Sequence, residues 1–133
     1  MDPVRAMPDS KALVINALIA ALPGVTVKGK TGDPEEFEDT LPLVVVTRVG
    51  GTMYRRKCLD NPWLDIDVYS LSDTQTFDTM IAVQSHIEAL RNTSHPEGVV
   101  TATNELSGPA ERPETNPAIS RMGMTASLIV RPN

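Results

Sequence analysis

The stretch Trp63-Leu64-Asp65-Ile66-Asp67-Val68-Tyr69 decides the fold. Side chains two apart share one face of a strand. Leu64, Ile66 and Val68 therefore predict a dry face, and Trp63, Asp65, Asp67 and Tyr69 a wet one. A strand of that kind belongs to an antiparallel sheet. Just upstream, Leu41-Pro42-Leu43-Val44-Val45-Val46-Thr47-Arg48-Val49 is a continuous, largely β-branched run closed by Gly50-Gly51. It predicts a strand buried on both faces or covered by a helix. Between the two runs, Asp60-Asn61-Pro62 reads as a turn. Just downstream, Ser72 or Asp73 can cap a helix whose stripe is Phe77, Met80, Ile81, Gln84, Ile87 and Leu90.

Farther out the pattern thins. Asp9 or Ser10 caps a first helix carrying Leu13, Ile15, Leu18, Ile19 and Leu22, and Pro23-Gly24 ends it. Val25 to Lys30 has room for a short strand, and an acidic loop with Glu35, Glu36, Glu38 and Asp39 follows. Val99 to Leu106 reads as a strand, and residues 107–117, with three prolines, as a long excursion. The last strand, Ile119 to Arg131, puts Met122, Met124, Ala126, Leu128 and Val130 on one face. Arg121, Gly123, Thr125 and Ser127 lie on the other. The expectation is a single α+β domain over residues 1–133. It has a mainly antiparallel sheet of about four strands with two helices packed on one face.

Composition narrows the function classes. The chain has 133 residues, 41% of them hydrophobic and 22% charged, with a formal charge of −5. Duplex DNA binders need a basic face for the phosphates, and this chain has no such reserve. A single cysteine, Cys58, excludes an internal disulfide framework. No apolar run approaches the roughly 20 residues of a membrane span. MDPVRAMPDS has no apolar signal-peptide core, so a soluble cytoplasmic protein is the expectation.

Residues that carry chemistry are few. Gly24-Val25-Thr26-Val27-Lys28-Gly29-Lys30-Thr31 matches the phosphate-loop pattern letter for letter. That loop needs a strand before it and a helix after it. Here a helix precedes, and Gly32-Asp33-Pro34 with an acidic cluster follows, so a β-turn region or loop is the preferred reading. Asp65 and Asp67 sit together on one strand face, which would suit acid/base or metal chemistry. The commoner reading of that spacing is a solvated face. His86 and His95 have no partner at zinc-ligand spacing. Arg55-Arg56-Lys57 is too small a cluster for a DNA footprint. It suits an ion-pair contact with the acidic 33–39 loop of a neighbouring copy. Trp63 and Tyr69 suit a subunit contact, where such aromatics are enriched. No catalytic, cofactor-binding or metal-binding set emerges, and no enzyme is expected.

The layout from Leu41 to Leu90 resembles the tail terminator, or tail completion, proteins of long-tailed phages, particularly those of actinobacteria. The resemblance rests on Leu43-Val44-Val45-Val46 leading to Arg48-Val49-Gly50-Gly51, then Asp60-Asn61-Pro62, the alternating strand and the helix after it. It implies a structural protein forming a ring of about six copies that caps the tail tube and joins it to the neck. The implied partners are further copies, the tail tube protein and a head–neck connector or stopper, with the genome passing through unbound. The implied place is the tail–neck junction of the virion, after synthesis in the host cytoplasm. Contacts would come from Trp63, Tyr69, Arg55, Arg56, Lys57, Glu35 and Glu36, and acids facing the lumen from Asp65 and Asp67. No cofactor is implied. The alternatives are another connector or tube component and, from a different class, a small nucleotide-binding protein using residues 24–31.

Overall fold

The computed structural model describes residues 8–32, 37–54 and 59–133, with only the backbone at positions 52–54. Among the described residues, two α-helices, one short 3-10 helix and six strands follow in the order α1 (Ser10–Ala21), β1 (Thr26–Lys28), the 3-10 helix (Glu38–Thr40), β2 (Leu43–Tyr54), β3 (Leu59–Ser70), α2 (Asp73–Ala89), β4 (Thr93–His95), β5 (Gly98–Glu111) and β6 (Ser120–Arg131). The sheet runs β1-β2-β3-β6-β5-β4 and curls into half a barrel. This corrects the expected sheet of about four antiparallel strands. Six strands are present, and β1 pairs parallel to β2. β1 falls within the Val25–Lys30 stretch that had room for a short strand, whereas β4, with three residues, is too short for a hydrophobic period to register.

One face of the sheet carries the main core. Val44 and Val46 of β2, Leu64, Ile66 and Val68 of β3, and Met124, Ala126, Leu128 and Val130 of β6 all point into it. Leu13, Val14 and Leu18 of α1 and Met80, Val83 and Ile87 of α2 close it from above. The expected inner faces of β3 and β6 are the buried ones. The helices, however, are rotated from their expected stripes. In α2 the buried line is Thr76, Met80, Val83 and Ile87, while Phe77 is 51% exposed. The Ser72 side chain caps the helix by accepting from the Gln75 amide, and the Ser70 hydroxyl bonds to the Thr76 hydroxyl beneath it. Those polar contacts turn Thr76 inward and Phe77 outward.

Polar anchoring also ties α1 to the sheet. Asp9 accepts from the Ala12 amide as the N-cap. Ser10 donates to the buried carboxylate of Asp60, which Arg48 grips with two hydrogen bonds of 2.8 Å. The fork-to-carboxylate geometry satisfies both oxygens of Asp60, as its burial requires.

Asp60-Asn61-Pro62 is strand rather than turn. Asn61 and Pro62 lie opposite Thr52 and Gly51, and β2 continues through its glycines to Tyr54. The irregularity falls instead between Arg48 and Gly50, where one residue bulges. Gly51 adopts φ +104°, and a Cβ there would run into the Asn61 carbonyl of the paired strand. Gly51 permits this close approach of the paired strands, and the glycine pair does not end the strand.

Candidate assembly surface

The second face of the sheet carries neither α1 nor α2, and β3 presents Trp63, Asp65, Asp67 and Tyr69 along it. The expected wet face divides into three zones. At one end Tyr69, only 6% exposed, packs with Leu43, Val45 and Ile119, and with Phe37 and Leu41 from the segment before β2. The Phe37 ring meets Tyr69 edge to face at 5.3 Å between centroids. Tyr69 is therefore a core residue of a second, smaller cluster. The wet-face expectation fails here because two loops fold over it. Burial pushes the Tyr69 hydroxyl above its ordinary pKa, with the Arg121 charge acting against that.

The middle zone is ionic. Arg112 donates to both oxygens of Asp65, at 2.7 and 2.8 Å, and to Asp67 at 2.9 Å. Arg121 donates to the same Asp67 oxygen at 3.1 Å, and its guanidinium lies 5.3 Å from the centre of the Tyr69 ring. Thr125 completes the set by donating to Asp65. Burial alone would raise the Asp65 pKa; the hydrogen bonds and charge of Arg112, with Thr125 and Arg121, outweigh it and hold the carboxyl below its usual range. Arg112 is raised by the reciprocal bonds to Asp65. Asp67 is 6% exposed, so the two guanidiniums also meet the need of a buried charge for partners.

Gly123 makes this cluster possible. It pairs with Asp67 across the β3–β6 ladder, and a Cβ on it would overlap the Arg112 guanidinium. The missing side chain is the seat on which the Arg112 fork lies flat. Two carboxylates face two guanidiniums, so Asp65 and Asp67 form no bare acidic wall in the isolated chain.

The third zone is open, uncharged and of mixed polarity. Trp63, 45% exposed, borders a groove of about 290 Å³ with Asn61, Asn104, Leu106 and Ser127. Leu106 is also exposed, so two large apolar side chains stand at the surface of this end of the face.

Of the expected contact residues, Trp63 stands at the surface and Tyr69 does not. Arg55, Arg56, Lys57, Glu35 and Glu36 lie outside the described residues, as does Cys58. The phosphate-loop match does not form its loop: β1 occupies Thr26–Lys28 in its middle, and Lys11 donates to the Gly29 carbonyl. His86 and His95 line a groove between the helices, and the His95 ring bonds Thr93. Among the described residues no three His, Cys, Asp or Glu side chains gather as a metal would require. No helix among them is long and apolar enough to cross a membrane. Sequence reasoning missed Arg112 and Arg121. Arg121 was within reach, since its parity on β6 places it with Thr125 on the face of Asp65. Arg112 gave no signal, because it sits in the stretch read as an excursion.

Comparisons with known proteins place the fold. A chain in the virion of a native gene transfer agent particle superposes with a TM-score of 0.58, covering 90% of each chain at 12% identity. This chain shares that fold. No protein-family profile and no curated protein sequence matches it.

Proposed function

We propose that this protein is a structural component of a phage-like virion that caps the tail tube as a ring and joins it to the neck. One observation carries the reading. The fold extends over 90% of both this chain and a chain of a gene transfer agent virion. The surface supports it: the polar cluster at the centre of the open face is internally balanced, and the groove beside it exposes Trp63 and Leu106 among uncharged polar side chains. Such a surface suits protein contacts better than phosphate binding. In this reading Trp63 and Leu106 are contact residues, the partners are further copies, the tail tube protein and a neck connector, and no cofactor or catalysis is involved.

Light scattering on the purified protein, paired with negative-stain images, tests the proposal. Closed rings of about six copies are expected, either alone or when tube protein from the same genome is added. Long tubes formed by this chain alone would reassign it as a tube component. A monomer that neither closes into rings nor caps tubes would overturn the assignment. Nucleotide binding abolished by Lys30→Ala would favour the enzyme class.

A further inference from the structure

The connection between β5 and β6 is fastened to the open face at both ends, and by a shared carboxylate. Arg112, at its start, and Arg121, at its end, both donate to Asp67. Arg121 also reaches back to the Pro113 carbonyl, and the Arg112 amide donates to the Arg121 carbonyl. Between these points the connection holds its own shape. The Asn116 side chain accepts from the Ala118 amide, and its carbonyl accepts from the Ile119 amide. No side chain from Pro113 to Ala118 is buried; the first apolar anchor is Ile119 at the entrance to β6.

We propose that residues 113–118 form a strap, closed over the sheet by the seating of Arg112 on Gly123 and released when the Arg112–Asp65–Asp67–Arg121 cluster is broken. The chemistry of the contacts makes the closure reversible. Residues 113–118 bury no side chain of their own, so apolar contact holds this connection only at Ile119, beyond the strap. The rest of the hold is ionic: the Arg112 and Asp65 side chains are partly exposed and open to screening by dissolved salt, while Asp67 is more sheltered. The forked hydrogen bonds give the closed state a single position, because a guanidinium meets a carboxylate in one plane. The charged and titratable groups around it are Asp65, Asp67, Arg112, Arg121, Tyr69 and Glu114. Opening leaves two carboxylates side by side on the sheet. The inference stands apart from the ring reading, since it concerns the isolated chain.

Hydrogen exchange by mass spectrometry on the full chain tests it, following peptides over 110–122 with α2 peptides as the internal standard. Arg112→Gln removes the fork, and Gly123→Ala evicts it while leaving every charge in place. Each variant is expected to raise exchange in the strap peptides by about tenfold, with α2 unchanged. Raising salt to about 1 M is expected to move the wild-type strap the same way. Strap peptides at wild-type rates in either variant would overturn the proposal. So would faster exchange spread equally over α2, which would make the cluster part of the core.

Discussion

The two faces of this sheet hold their cover by different physics. On one, α1 and α2 are pressed down by a continuous apolar layer running from Val27 through Leu64 and Ile66 to Val130. On the other, a small cluster around Tyr69 and an ionic knot at Asp67 tie down two loops, and the rest is open. The first face is held mainly by non-directional apolar contact, with the Ser10–Asp60–Arg48 and Ser70–Thr76 bonds fixing the helices on it. The second depends on a few geometries, each with a named donor and acceptor. Apolar burial sets stability, and the ionic knot sets where a loop lies.

Substitutions should separate the two faces by size of effect. Leu64→Ala, in the middle of the helix-covered layer, is expected to cost about 2–5 kcal/mol in urea unfolding. A loss no larger than that of an exposed site would mean that the apolar layer is not the main source of stability. Gly123→Ala acts on the other face and is expected to cost roughly 1–2 kcal/mol, from the lost Arg112 bonds rather than from a cavity. Adding Arg112→Gln to it should cost little more, because both changes remove one interaction. Full additivity would break the link between Gly123 and Arg112.

Acid should act on the ionic face first. The Asp65 pKa lies below its unfolded value, so its contribution is fully present above the unfolded value of about 3.9. It is lost as pH falls through the lower, folded value. The unfolding midpoint of the wild type should therefore drop between neutral pH and about pH 3 by more than that of Asp65→Asn. The effect is modest because the pair is partly exposed. Smallest of all, Trp63→Ser should change the stability of the isolated chain by no more than about 0.5 kcal/mol. If the open groove is a contact surface, the same change should weaken assembly seen by light scattering.

The same contrast explains what could be read from the sequence. The alternation of Leu64, Ile66 and Val68, and of Met122 to Val130, was legible because a buried face repeats every two residues. The Asp9 and Ser72 caps were legible because capping is local. The helix rotation was not: Met80 and Ile87 fit both stripes of α2, and the choice between Phe77 and Thr76 came from a Ser70 hydroxyl in the preceding strand. Asp65 and Asp67 were visible as a pair, yet their partner lies 47 residues from Asp65 in the chain. No local period reports such a contact. Tyr69 looked wet because its cover comes from Phe37 and Ile119, on two separate loops.

The irregular ladder of β5 bears on solubility. Its pairing with β6 slips by a residue at three places, and Pro109, which has no amide hydrogen, falls at the last of them. Beyond Val100 no described strand lies on its outer side. A long bare edge is normally a template on which other chains can stack into fibrils, but this one offers no straight run of evenly spaced donors to copy. That edge is therefore a poor seed for endless sheet growth when copies of the protein crowd together.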